Sequence, residues 1–483
     1  MVNSLSERRA DVVFDVVVVG AGPAGLSAAT TAGPTATVAL LDAGPVPGGQ
    51  YWRQPATADL GARPMAGLDP GRLAYLHHGL DEYRRLVNRL RAQVDSGRTS
   101  WLAQHHVWTV ERVENGYVVH AVDRSGAVER AVRVTGRRLV LAVGAYDRQV
   151  PFPGWTLPGV MTAGGAQALL KGSGVVAGSR VVVARTGPFL QTVAAGLADS
   201  GATVLGVHEA ASPGAWLSHL GPVLRNVGKL GEAVGYARAL VRHRIPLRTR
   251  SIVLSAEGGD HLEAVIVARV RHDGVVPGTE RRLACDTLAI GWGFTPQLEL
   301  ALELGCETSV DTDGSVVCRV DDNQGTSVPD VFAAGETCGI GGAALAVVEG
   351  AIAGAAAVNA AAGKRRLKRQ RSALRSFAAA MHASHPVPAG WTKRVRDDTV
   401  ICRCEEVTGG QLRSSVAAGA LDARSAKLLA RPGMGWCQGR VCGYATACLT
   451  AAWSGSPFQP DVVGSRPVAV PVDLGILAGL PEE

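Results

Sequence analysis

The sequence predicts an α/β protein assembled from two strand–turn–helix–strand units and a small cysteine-bearing module, and three observations carry that prediction. The first is the stretch FDVVVVGAGPAGLSAATTAGPTATVALLD, where a β-branched run leads into a glycine-rich turn, a helix and a second apolar run. The second is a damaged copy of that pattern between Arg180 and Glu209. The third is a set of four cysteines, Cys402, Cys404, Cys437 and Cys442, in two close pairs towards the C-terminus.

In the first stretch, Val16 to Val19 read as a strand buried on both faces. The turn Gly20-Ala21-Gly22-Pro23-Ala24-Gly25 then opens a helix. Gly20 permits the tight turn, Gly22 lets backbone N–H groups reach a pyrophosphate, and Gly25 allows helix and strand to pack closely. The phosphates would sit at the positive end of the helix. Val38 to Leu41 end in Asp42, about 22 residues beyond Gly20, the spacing of a carboxylate on a ribose 2′-hydroxyl. A glycine-rich loop in any α/β protein is the plain alternative. Strand, turn, helix, strand and acid in order favour dinucleotide binding.

A chain of 483 residues suggests two to four domains, and its 60 glycines have no fixed period, so a globular protein is expected. The net charge of +7 is accounted for by the segment from Lys364 to Arg371 together with Arg375. Such a run reads as a solvated linker helix, and no nucleic-acid partner is expected. The start of the chain lacks a secretory h-region. Residues 341–363 are apolar enough to raise a membrane span, but alanine and glycine dominate and Glu349 and Asn359 interrupt. A tightly packed soluble helix and a cytoplasmic protein are expected instead. The nine cysteines then point to thiols or metal ligands before disulfides.

Along the chain, Gly48-Gly49 before Gln50 forms a close-approach loop, and residues 72–95 carry helical spacing in Leu73, Leu76, Leu80, Tyr83, Leu86, Val87 and Leu90. Strands around 107–113 and 117–122 predict a hairpin with Asn115-Gly116 at its turn. A buried strand from Arg138 ends at Gly144, and the cluster from Pro151 to Gly159 reads as a crossover. In the second unit, Arg185 and Leu190 replace the first and third glycines, so a bulky cation stands where a tight turn is needed. Nicotinamide binding is not expected there; a structural relic, or a site for another phosphate ligand touching Arg185, stays open. Residues 283–293 close this unit, and 330–336 form a strand ending in Gly335 and Glu336. Glu336 reads either as a helix cap or as an acceptor for a ribityl chain, with the following helix N-terminus facing a flavin ring. Leu367, Leu374, Phe377, Ala378 and Met381 lay the basic helix over the body by one face.

Two neighbouring thiolates from each of two glycine-bearing loops can surround one inorganic centre, an iron–sulfur cluster or zinc. A flavin trades electrons in pairs or singly and a [2Fe–2S] cluster moves one, so both on one chain make an electron relay, whereas zinc adds only rigidity. Cys285, Cys306, Cys318, Cys338 and Cys448 read as isolated packing residues. The absence of CxxC from the first two units argues against a dithiol reductase. His77-His78 and His105-His106 read as surface or packing residues, and no proton-transfer residue is assigned.

GAGPAG, GGQYWRQ, LAVGAYDRQVPFPGW, GWGFTP, VFAAGE and CRCEEVT with GWCQGRVCG together resemble the A or alpha subunits of opine oxidases, dye-linked proline or hydroxyproline dehydrogenases and hydrogen cyanide synthase. The resemblance covers roughly residues 12–450, and its cysteine signature is similar to that of bacterioferritin-associated ferredoxin. It implies two Rossmann-like dinucleotide-binding domains of the FAD/NAD-linked reductase type plus a C-terminal four-cysteine [2Fe–2S] domain. The expected divisions are 12–158 and 293–363 for the FAD-binding domain, 159–292 for the second domain, 364–398 for basic helix and linker, 399–455 for the cluster domain and 456–483 for a tail. Gly20, Gly22, Pro23, Ala24, Gly25, Asp42, Gly49, Gln50, Gly144, Gly335 and Glu336 would bind FAD, and Val107 would border the adenine. Cys402, Cys404, Cys437 and Cys442 would hold the cluster. An amine-oxidase-like FAD subunit would oxidise the amine or imino-acid substrate, and a small third [2Fe–2S] protein is an optional further partner. A self-contained NAD(P)H-dependent flavin reductase and a scaffold subunit with a four-cysteine zinc module are the alternatives.

Overall fold

The computed structural model describes residues 12–55, 77–219, 221–222, 227–271, 274–360, 364–459 and 468–480. The N-terminal unit comprises β1 (Val13–Val19), α1 (Pro23–Ala32), β2 (Val38–Asp42), α2 (Leu80–Asp95), β3 (Thr99–Ala103), β4 (His105–Val113), β5 (Gly116–Asp123) and β6 (Arg130–Leu141). Their sheet runs β3-β2-β1-β6-β5-β4, with β1 parallel to both β2 and β6. Val16, Val17 and Val18 are fully buried, as a central parallel strand requires. The hairpin β4–β5 forms, but Val113 pairs with Gly116, so its two-residue turn is Glu114-Asn115 and Gly116, at φ +142°, opens the return strand. The helix read from residue 72 is seen from Leu80, burying Tyr83, Leu86, Val87 and Leu90; Leu73 and Leu76 lie outside the described residues.

Beyond β7 (Ala145–Asp147) the chain enters a second, wholly parallel sheet. Its elements are β8 (Val160–Thr162), α3 (Ala163–Ser173), β9 (Arg180–Arg185), α4 (Phe189–Asp199), β10 (Thr203–Glu209), α5 (Val227–Arg242) and β11 (Leu247–Thr249). A small antiparallel insert follows, β12 (Ser251–Glu257), β13 (Ala264–Arg271), β14 (Gly274–Val275) and β15 (Arg281–Ala284), before β16 (Thr287–Gly291) completes the order β11-β10-β9-β16-β8. β17 (Phe294–Pro296) pairs antiparallel with β7, so the two strands that cross between the units run side by side. The sequence expectation for the turn after β9 needs correction. Arg185 adopts φ +114°, close to the +98° of Gly20, so the tight turn forms in spite of the side chain. Leu190 fits at the third glycine position because its partner there is a glycine: a Cβ on Gly291 would lie 2.8 Å from Leu190 Cδ2.

The chain then returns through α6 (Glu299–Glu303), the hairpin β18 (Thr308–Val310) and β19 (Val316–Cys318), β20 (Val331–Ala333) alongside β6, and α7 (Ala343–Ala357). Cys306 and Cys318 are not isolated, since their thiols stand beside each other at this hairpin and each shifts the other's titration. α8 (Lys364–Ser384) lies over the body with Phe377 against Trp216. It is less solvated than its charge suggests, because Arg371 donates to Gln324 Oε1 at 2.8 Å and Arg375 meets the buried Glu349 carboxylate at 2.7 Å. Among the described residues no helix is long and apolar enough to cross a membrane.

The cysteine module contains β21 (Val400–Cys402), β22 (Val407–Thr408), α9 (Gly409–Ala417), α10 (Ala423–Ala430) and α11 (Gly443–Ser454). Its core residues Ile401, Leu412 and Leu449 belong to one apolar cluster with Trp155, Val182, Leu288 and Trp292 of the second unit. α12 (Leu474–Ala478) and the residues before it dock on the first unit, with Ile476, Val468 and Val470 packed around Trp108 and Val122.

Candidate functional site

A cavity of about 1440 Å³ opens at the C-terminal ends of β1, β2 and β6, where the strand order of the first sheet reverses. Gly20, Gly22, Pro23, Ala24, Asp42, Gly49, Gln50, Val107, Gly144, Gly335 and Glu336 all line it. Gly25 does not; a Cβ there would lie 1.7 Å from the Gly20 carbonyl oxygen, so this glycine permits the contact between helix and strand. Gly49, at φ +59°, brings its loop across the start of α1, where a side chain would come within 2.8 Å of Gly22 Cα.

Of the helices that begin on the cavity wall without a capping side chain, α1 at Gly22 and α7 at Gly342 flank the glycine-rich turn and Glu336. Their first-turn N–H groups and partial positive charge suit phosphate or another electron-rich group. Asp42 is held at the end of β2 by two backbone donors: Oδ2 accepts from Ala21 N at 2.5 Å and Oδ1 from Gly44 N at 2.7 Å. Burial pushes its carboxyl up, and those two N–H groups pull it back down. Glu336 is raised to about 7, chiefly by desolvation, against the Gly342 N–H and the Arg375 charge.

The second unit repeats the geometry but uses it internally. Glu209 Oε2 accepts from Gly187 N and Oε1 from Ala211 N, both at 2.9 Å, matching the arrangement at Asp42. Arg185 is buried between the rings of Phe152 and Trp292, with its Cζ 4.4 Å and 4.6 Å from their centroids. Its Nε and Nη2 find no hydrogen-bond partner among the described residues, and burial lowers its pKa to about 9. Neither Arg185 nor Glu209 reaches the cavity, although Phe189 and Thr192 of α4 do.

Sequence reasoning missed Lys171. It is buried on the cavity wall, donates from Nζ to the Tyr51 carbonyl at 2.9 Å, and is lowered to about 8 by burial. A lysine in the small-residue helix α3 was the available signal. His77 and His105 are packing residues, with ring nitrogens 2.8 Å from the Arg53 and 2.7 Å from the Ala103 carbonyl oxygen, and His78, His105 and His106 also line the cavity.

The four cysteines of the C-terminal module come together, and they do so across the two loops. Cys442 stands beside Cys402 and Cys437 beside Cys404, and the charge of each remaining sulfur is felt at Cys442. The Cys442 thiol, with backbone N–H groups of Gly433, Glu405 and Cys404, lowers Cys402 to about 5. Gly435 has no room for a side chain, since a Cβ would stand 2.2 Å from Cys404 Cβ. Four soft donors in two facing pairs have the donor chemistry of an inorganic centre, an iron–sulfur cluster or zinc. Among the described residues, no three metal-type side chains are arranged around a single-ion position.

Residues 14–355 match the family described as pyridine nucleotide-disulphide oxidoreductase. The chain is 33% identical to the A subunit of opine oxidase from Rhizobium meliloti (strain 1021), over 97% of this chain and 99% of that one. It is 36% identical to the HcnB subunit of hydrogen cyanide synthase from Pseudomonas protegens, over 67% and 71%. The alpha subunit of sarcosine oxidase from Corynebacterium sp. (strain P-1) is 32% identical over 79% of this chain and 35% of its own length. The fold of L-proline dehydrogenase from P. horikoshii superposes with a TM-score of 0.68 at 19% identity, over 96% of this chain and 79% of the other. With FAD-type Rossmann folds, the cavity at their switch point and a family match over most of its length, the chain belongs to the pyridine nucleotide-disulphide oxidoreductase family.

Proposed function

We propose that this chain is the FAD- and [2Fe–2S]-containing electron-transfer subunit of a hetero-oligomeric enzyme that oxidises the CH–NH bond of an amine, a proline-like imino acid or an opine. The observation that carries the reading is the meeting of Cys402, Cys404, Cys437 and Cys442 in two facing thiol pairs on a chain that also holds a dinucleotide-sized cavity. A bound flavin takes up electrons in pairs and releases them singly, and a two-iron centre carries one at a time. Gly20, Gly22, Pro23, Ala24 and the start of α1 would hold the pyrophosphate, with Gly25 keeping that helix close to its strand. Asp42 would take the ribose hydroxyls and Val107 would border the adenine. Gly49, Gln50, Gly144, Gly335 and Glu336 would enclose the remaining chain and ring, and the uncapped start of α7 would stabilise negative charge there. The four cysteines would hold the iron.

The relatives in opine oxidase, hydrogen cyanide synthase and sarcosine oxidase are each named as one subunit of a larger enzyme, which supports a separate substrate-oxidising partner. Arg185 agrees with it too, because it replaces the first glycine of the second dinucleotide-type turn, a departure that suits a relay fed by a partner and not by nicotinamide. The complex co-purified from the native host should reduce an artificial dye with such an amine, and this chain alone should not. Equal amine oxidation by the isolated chain, or rapid anaerobic bleaching of its flavin by NADH, would defeat the proposal. Iron with labile sulfide is the expected metal content; zinc without iron would point to a scaffold.

A further inference from the structure

Between the cavity and the cysteine group lies a bridge of three polar side chains. Arg440 stands in the loop that carries Cys437 and Cys442, and its Nη1 donates to the Cys437 carbonyl at 3.3 Å. Its Nε lies 2.8 Å from both Tyr146 Oη and Glu299 Oε1, and its Nη2 donates to the Ala469 carbonyl. Tyr146 Oη donates in turn to Glu299 Oε1 at 2.6 Å. Tyr146, on the crossing strand β7, and Glu299, at the start of α6, are both walls of the cavity. The Arg440 and Glu299 side chains are only 14% and 16% exposed.

This bridge is costly as a simple fastener, because apolar residues of the same volume hold two surfaces together at least as well as a buried ion pair. What the guanidinium adds is a fixed positive charge beside Cys437, oriented by groups that belong to the other site, in the way outer-shell partners tune metal ligands. We propose that Arg440, positioned by Tyr146 and Glu299, couples the dinucleotide cavity to the cysteine centre. It holds the 437–442 loop in register with the cavity wall and favours arrival of an electron at the centre it faces. The charge role rests on the reading of the cysteines as iron ligands; the positioning role does not.

The test uses the co-purified holoenzyme and three variants, Arg440→Gln, Arg440→Lys and Tyr146→Phe. Arg440→Gln removes the charge, so the reduction potential of the iron centre should fall and its electron paramagnetic resonance signal should shift. Arg440→Lys keeps the charge without the fork, and should restore most of the potential. Tyr146→Phe cuts one link, and hydrogen exchange of the amides of residues 437–442 should speed up by about tenfold, the expected effect of losing a charge-assisted bond. An Arg440→Gln enzyme with full iron, an unmoved potential and an unchanged signal would refute the charge role. Should the wild type contain no iron, the electron-transfer reading falls on its own, and the bridge is judged on exchange alone. Unaltered exchange at 437–442 in Tyr146→Phe refutes the coupling in either case.

Discussion

At the scale of single residues, the same position does opposite things in the two units. Gly20 and Arg185 share a positive φ, but only the second carries a side chain there, and it turns inward with its guanidinium stacked on Phe152 and Trp292. A non-glycine residue held at such a φ stores roughly 1–3 kcal/mol of strain. Glu336 is a cavity-lining carboxyl whose protonation bears on stability. Its carboxyl holds a proton up to about 7 in the folded state against an ordinary 4.5, so between those values the folded state binds more protons than the unfolded chain. Stability should therefore fall as pH rises from 4.5 to 7, with roughly 3 kcal/mol as the upper bound, reduced by water entering the cavity. Glu336→Gln should remove that loss, and thermal melts of apoprotein at pH 5 and pH 7.5 will test it. Identical pH slopes for variant and wild type would mean that the carboxyl is well solvated.

At the scale of elements, the packing of α7 on α1 shapes the cavity. A Cβ on Gly350 would lie 2.0 Å from the Ala24 carbonyl oxygen, and one on Gly354 would lie 2.3 Å from that of Ala28. Either glycine changed to alanine forces backbones apart, at a cost of about 1–3 kcal/mol or more. Only Ala24 lines the cavity, so Gly350→Ala should also weaken flavin retention, whereas Gly354→Ala should lower Tm with flavin affinity nearly intact. Equal loss of flavin in both would show that the two helices move as one body. This small-residue seam was legible in the alanine- and glycine-rich run after Gly341, because small residues at helical spacing have little reason to exist except close approach. The position of the hairpin turn was not legible, since Asn115-Gly116 and Glu114-Asn115 differ by one register step that only the β4–β5 pairing decides.

At the scale of the whole molecule, the basic helix α8 is tied to the cavity floor through Arg375 and Glu349. Glu349 is 1% exposed and also accepts from Gly335 N at 3.1 Å, so Arg375 neutralises a carboxylate that stands behind a cavity-lining glycine. Arg375→Met should cost about 3–5 kcal/mol by stranding that charge, and the double variant with Glu349→Gln should recover most of it. Denaturant unfolding of the four proteins measures the coupling; additive losses would mean that the carboxylate finds another partner. The sequence by itself determined the strand–turn–helix order, the glycines of the first turn, the acid at its second strand and the four cysteines. Those features are written in local periodicity, in residues without side chains and in donor chemistry. Only the tertiary structure decided that Cys402 faces Cys442 and Cys404 faces Cys437, that Arg185 turns inward between two rings, and that Arg440 reaches Tyr146 and Glu299. Each of these joins positions far apart in the chain, and their meeting depends on how two sheets and a small module settle against one another, which no local pattern encodes.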